Sequence, residues 1–163
     1  MRYCRMDFVS VRDGTPGERR VALTPGVVKR LIGLGAGVRL EPGYGQAADL
    51  ADDLYREAGA TFAPREEALA GAEVLVALNP PDAATLTALP EGATVASFLD
   101  PFRRPELVRT ARERSLRTLC MELIPRTSYA QKMDALSSQA SLGGYAAVIT
   151  AAERSPKAFP MMS

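Results

Sequence analysis

At 163 residues, 47% hydrophobic and 24% charged, the chain is long enough for a globular domain with a real core, and no apolar run reaches the ~20 residues that span a bilayer. A net charge of +1 gives no case for nucleic acid or an acidic membrane surface as a partner. Histidine is absent, which excludes every mechanism built on imidazole and removes the commonest metal ligand.

The first strand is expected over Asp7–Val11, where Phe8, Val9 and Val11 supply the apolar positions, and Gly14-Thr-Pro-Gly17 is a turn. Thr24 and Pro25 are a good N-cap and first residue for a helix with Val27, Val28, Leu31, Ile32 and Leu34 on one face, ended by Gly35. Val38–Leu40 reads as the second strand, followed by the turn-rich Glu41-Pro-Gly-Tyr-Gly45, which lacks the full G-x-G-x-x-G fingerprint. Ala48–Ala58 is expected to be a helix with Leu50, Leu54 and Ala58 inward, and Arg65–Ala70 a short one ending at Gly71. Val74–Leu78 is uncharged throughout, as a strand covered on both faces would be, and ends at Asn79-Pro-Pro-Asp82.

Ala83–Leu89 is the next short helix and Ala93–Leu99 the fourth strand, closed by Asp100-Pro101. Pro105–Ser115 is a helix with Leu107, Val108 and Ala111 inward. Leu116–Met121 is the fifth strand and reads as buried, with Cys120 a small core residue. Cys4 lies in a short leader, and the two cysteines have neither metal spacing nor a disulfide framework. Strands and helices alternate, so the fold class is α/β, a doubly wound parallel sheet of the Rossmann/flavodoxin-like kind with a C-terminal crossing helix. Its strand ends bring Arg12 or Asp13, Asn79, Asp100 and Arg126 to one edge, where open α/β sheets hold ligands.

The polar loop after the fifth strand carries Arg126, Gln131, Asp134, Ser137 and Ser138. The helix after it keeps helical spacing at Leu142, Tyr145, Ala146, Ile149 and Ala152 but is otherwise Ala, Ser and Gly. Gly143 and Gly144 each cost about 1 kcal/mol relative to alanine, a cost that suits close packing against a sheet, another backbone or a flat ligand. Residues 155–163 read as a linker-like tail.

The run Pro125-Arg126-x-x-x-x-Ala130-Gln131-x-Met133-Asp134-Ala135-Leu136-Ser137-Ser138-Gln139-Ala140 resembles the signature loop of the NAD(H)-binding alpha subunit of proton-translocating nicotinamide nucleotide transhydrogenase, a family related to alanine dehydrogenase. Glu18-x-Arg20-Val-Ala-Leu-Thr-Pro25 resembles an element of the same group. The resemblance implies that Arg126, Gln131, Asp134, Ser137 and Ser138 contact NAD(H). It also implies that Arg126, Gln131 and Asp134 orient the nicotinamide for hydride transfer to NADP(H), held by a partner subunit. In the dehydrogenases the arginine at Arg20 binds the substrate carboxylate; here a solvated or helix-orienting role is favoured.

Three departures stand out. Tyr129 replaces a second arginine of the family loop, Ala77 stands where a lysine is usual, and Asp100 stands where alanine dehydrogenases place a catalytic histidine. The last two argue against alanine dehydrogenase activity. The resemblance further implies an N-terminal domain over 1–136 and, over 137–163, a crossing helix that opens a second, NAD-binding lobe lying beyond this chain. The expected partners are that lobe, membrane-embedded and NADP-binding transhydrogenase subunits, and a second copy in a homodimer. The expected location is cytoplasmic, peripheral to the inner membrane through those subunits. A non-catalytic piece, inert on its own, is the remaining alternative.

Overall fold

The computed structural model describes residues 6–157, which divide into two compact units at the Cys120–Met121 junction. Cys4 and the end of the linker-like tail lie outside the described residues.

The first unit alternates strand and helix: β1 (Asp7–Ser10), α1 (Pro25–Gly33), β2 (Gly37–Leu40), α2 (Asp52–Glu57), β3 (Thr61–Phe62), α3 (Arg65–Ala70), β4 (Val74–Val76), α4 (Ala83–Ala88), β5 (Thr94–Ser97), α5 (Pro105–Glu113) and β6 (Arg117–Cys120). The strands form one parallel sheet in the order β3-β2-β1-β4-β5-β6. Parallel neighbours need a crossover between them, which the helices provide. The doubly wound architecture expected from the alternation is therefore present.

Successive side chains of a strand point to opposite faces, and the core divides accordingly. Val9, Leu75 and Val95 of the sheet join a cluster with Leu69, Leu86 and Leu107, drawn from α3, α4 and α5. Phe8 and Val76 pack instead with Val28, Leu40, Tyr44 and Tyr55, on the side of α1 and α2. Thr24 caps α1 as expected, accepting from Val27 N–H at 3.4 Å.

Several local expectations fail for physical reasons. The sheet has a sixth strand, β3, whose two residues are too short to show any periodicity. The helix expected over Ala48–Ala58 is broken: a 3-10 turn covers Gln46–Ala48, Asp49 is left-handed at φ 58°, and α2 begins only at Asp52. Tyr55 is the residue it buries, while Leu54 is exposed. Val27 and Val108 also face outward, because the buried arcs of α1 and α5 are narrow, and Leu34 is exposed as the C-cap beyond the end of α1. β6 is an edge strand and largely exposed rather than buried, with Leu119 58% exposed and Cys120 only partly covered.

The second unit holds a 3-10 turn at Met121–Leu123, the polar loop, a second 3-10 turn at Gln131–Met133, and α6 (Ala135–Arg154). No residue of α6 is buried, and Leu142, Tyr145 and Ile149 are exposed. Nothing lies within 4 Å of where a Cβ would stand on Gly143 or Gly144. Among the described residues of the second unit nothing packs closely on this glycine pair.

Candidate functional site

The strand order places the topological switch between β1 and β4, whose chains depart to opposite sides. A cleft of ≈ 510 Å³ opens there, at the C-terminal ends of both strands, with Arg12, Asp13, Arg20, Arg65, Asn79 and Thr85 among its lining residues. The expected meeting of Asp13 and Asn79 is realised: the Asn79 amide Nδ2 donates to Asp13 Oδ2 at 2.9 Å and to Glu18 Oε2 at 3.1 Å. Burial pushes the Asp13 carboxyl up, but hydrogen bonds from Thr15 and Asn79 outweigh it and hold the carboxyl below its ordinary value.

Arg20 is gripped by its own neighbour. Its Nε donates to Glu18 Oε1 at 2.8 Å and its Nη2 to Oε2 at 2.7 Å, the paired geometry in which guanidinium binds carboxylate best. The Arg20 contacts bring the Glu18 carboxyl down to about 2 and raise the guanidinium. The backbone of this arm is fixed behind the cleft by two tyrosines, since Leu23 N–H donates to Tyr44 Oη at 2.9 Å and Tyr55 Oη donates to Leu23 O at 3.0 Å.

Sequence reasoning missed a clamp on the other wall. The buried Glu41 carboxylate accepts from Arg12 Nε at 3.0 Å, Arg12 N–H at 2.8 Å and Arg65 Nη1 at 3.1 Å. Arg65 also donates to Arg12 O and to Thr85 Oγ1, both at 3.1 Å. The ends of β1 and β2 are thereby tied to α3 and α4. The one signal in sequence is a glutamate directly after an apolar strand, which is an expensive group to bury unless paired. Asp82 caps α4 by accepting from Thr85 N–H at 2.7 Å, and this contact with Thr85 keeps its carboxyl low.

Asp100 does not line this cleft. It sits at φ 46°, and its carbonyl accepts from the Arg103 and Arg104 amides, so it turns the chain out of β5. Ala77 does line the cleft and offers no amine there.

The loop residues lie in the second unit. Asp134 is the N-cap of α6: its carboxylate accepts from Ser137 N–H at 3.0 Å and from Ser137 Oγ at 2.6 Å. Ser138 Oγ donates to the Asp134 carbonyl at 3.1 Å. The Ser137 bonds, aided by the charge of Arg126, hold the Asp134 carboxyl below its ordinary value. Among the described residues no hydrogen bond or ion pair joins Arg126 to Asp134, whose carboxylate serves instead as a helix cap. Gln131 opens the 3-10 turn, and its side chain, like that of Arg126, is exposed.

Comparison with known proteins gives a consistent answer. The family profile described as alanine dehydrogenase/PNT, N-terminal domain, matches residues 11–143. The first of the alpha-subunit chains of NAD(P) transhydrogenase from Rhodospirillum rubrum is 41% identical over 96% of this chain and 42% of its own length. The crystal structure of transhydrogenase from Sinorhizobium meliloti superposes with a TM-score of 0.87 at 36% identity, over 94% of this chain and 47% of that one. An L-alanine dehydrogenase structure follows at a TM-score of 0.69 and 25% identity, over 73% of this chain and 33% of that one. The chain thus spans less than half the length of these relatives. By the profile match across most of its length, the chain belongs to the alanine dehydrogenase/PNT N-terminal domain family.

Proposed function

We propose that the chain is the N-terminal portion of the NAD(H)-binding component of a proton-translocating NAD(P) transhydrogenase, and that its loop orients the nicotinamide for hydride transfer from NADH to NADP. The observation that carries this reading is the 41% identity to the R. rubrum alpha-subunit chain across 96% of this one. In this reading a second lobe supplies most of the dinucleotide contacts, beginning with the crossing helix at 137–163. Membrane-embedded and NADP-binding subunits complete the assembly, a second copy forms the homodimer, and the chain sits in the cytoplasm beside the membrane through those partners.

The exposed side chains suit the task. Arg126 and Gln131 make no side-chain hydrogen bond among the described residues and lie exposed. A guanidinium donor and an amide that both donates and accepts complement a carboxamide. Ser137 and Ser138 donate into the cap of α6 and keep lone pairs that can accept. Asp134 ties the loop to the first turn of α6, which limits its freedom before any ligand arrives. Bound nicotinamide supplies the hydride chemistry itself, and the protein's role is placement.

The test is hydride transfer in the assembly rebuilt with its second lobe and partner subunits. Arg126→Ala is expected to slow transfer on the order of a hundredfold, the penalty of a misplacement of about 1 Å, with little change in NADH affinity. Gln131→Ala follows the same pattern less severely, since the amide carries no net charge. Glu66→Ala, on the exposed side of α3, leaves the rate unchanged. Transfer at the parent rate in the loop variants would make the loop structural. Pyruvate-dependent NADH oxidation is expected to be absent, with Ala77 and Asp100 at the dehydrogenases' lysine and histidine positions.

A further inference from the structure

The whole-chain charge of +1 conceals an asymmetry. Residues 103–117 hold six arginines against two glutamates, while the remainder of the chain is net acidic. This stretch begins in the loop before α5, runs through α5, and ends in β6. α5 buries Leu107 and Ala111. On a helix of 3.6 residues per turn, Arg109 and Arg112 then lie on the opposite, solvent side beside Val108, with Glu106 and Glu113 grouped to the other flank. Arg103, Arg104, Arg109 and Arg112 are all exposed, and none forms an ion pair among the described residues.

Two features resist an explanation from folding alone. Arginine occupies the N-cap position of α5, with no side-chain cap bond, and Arg103 precedes it. Cations are unfavourable at a helix N-terminus, where the macrodipole and the unsatisfied N–H groups already present positive charge, and arginine cannot accept from those groups. Phe102, immediately before this pair, is 84% exposed, and Val108 on the same helix is 49% exposed. A local rule broken without a local gain is what a functional surface looks like.

We propose that the Phe102–Arg112 face is a docking surface for anionic phospholipid headgroups, with the arginines on the phosphates and Phe102 at the edge of the acyl region. Unpaired arginines spread along a convex helix suit a surface of mobile charges, and an exposed aromatic beside them suits a partly apolar interface. No described helix is long and apolar enough to cross a membrane, so such contact would be peripheral. The inference uses only the first unit and does not depend on the nicotinamide loop.

Flotation of the full chain with vesicles tests it. Phosphatidylcholine vesicles containing phosphatidylglycerol are expected to carry the chain up the gradient, and vesicles of phosphatidylcholine alone are not. Each arginine near such a surface contributes about fivefold in partitioning. Arg109→Gln with Arg112→Gln should therefore lower binding by about twenty-fivefold, with an unchanged circular dichroism melt. Phe102→Ala should lower it further, and added salt should weaken it. Lys29→Gln with Arg30→Gln, the same charge change on exposed positions of α1, should leave it near the parent level. No binding to the anionic vesicles, equal binding to neutral ones, or an equal loss in the α1 variant would overturn the proposal. Capture by soluble polyglutamate or duplex DNA with the vesicles inert would also overturn it, and would give the face to an acidic macromolecule instead.

Discussion

Asp134 combines two roles that substitution can separate. Its oxygens satisfy the Ser137 amide and hydroxyl at the start of α6, and its negative charge lies close enough to Arg126 to be stabilised by it. Asparagine is as good an N-cap as aspartate but carries no charge. Asp134→Asn is therefore expected to leave the helix content of the chain unchanged while slowing hydride transfer in the rebuilt assembly. Asp134→Ala should lower both. If Asn matches the parent rate and only Ala is slow, the residue acts through the cap alone. Glu18 offers a pH signature in the other unit. Its carboxyl is brought from 4.5 to about 2, first by the Arg20 hydrogen bond. A depressed folded-state pKa means that the unfolded chain binds the proton more readily, so this contribution is full above pH 4.5 and is lost as pH falls toward 2. The difference in melting temperature between parent and Glu18→Gln should be constant near neutrality and shrink across that window. A difference that persists below it would show that Glu18 acts by packing rather than by charge.

The elements differ in how much of them is legible in the sequence. β4 and the order of alternation are, because an uncharged run between helical patterns has few other interpretations. β3 is not, since Thr61–Phe62 is a pair with one exposed and one half-buried residue. β6 misleads because Thr118, Leu119 and Cys120 look like a buried strand, yet edge position is a property of topology and not of the strand's composition. At the site, Asp13 and Asn79 can be placed together from strand ends alone. The Glu41 clamp cannot, because its partners Arg12 and Arg65 lie 29 and 24 residues away and meet only once the sheet is assembled. α6 carries its own prediction. A Cβ at Gly143 or Gly144 meets nothing within 4 Å, and alanine is favoured over glycine in a helix by about 1 kcal/mol per residue. Gly143→Ala with Gly144→Ala should therefore raise the helicity and melting temperature of the chain alone. If the glycines serve close approach of a second lobe, the same pair should weaken assembly with it. Unchanged assembly would leave the glycines without a packing role.

At the scale of the molecule, the question is how much of a dinucleotide this chain can hold by itself. A pyrophosphate is ordinarily anchored by a glycine-rich turn at a helix N-terminus, where backbone N–H groups converge on it. The turn-rich loop after β2 does not provide this. Gly43 N–H is already taken by the Asp52 carboxylate at 3.0 Å, and a negative charge beside the loop repels a phosphate. Gly45 serves packing instead, since a Cβ there would stand 2.5 Å from Leu50 O and 2.6 Å from the Tyr55 ring. In the cleft at the switch point, the Glu18, Asp13 and Glu41 carboxylates already engage the polar groups that could hold a charged ligand. In the proposed reading Arg126 and Gln131, two side chains on an exposed loop, orient a ring but supply no such anchor for the pyrophosphate. The chain alone should therefore give no calorimetric signal and no shift in melting temperature with NADH at micromolar concentrations, because a ligand far below its dissociation constant stabilises nothing. Supplying the second lobe of a relative should restore binding, and Arg126→Ala should leave that restored affinity nearly intact while the transfer rate falls. A micromolar dissociation constant for the chain alone would place the main binding energy in this lobe, and the division of labour between anchoring and orienting would have to be reversed.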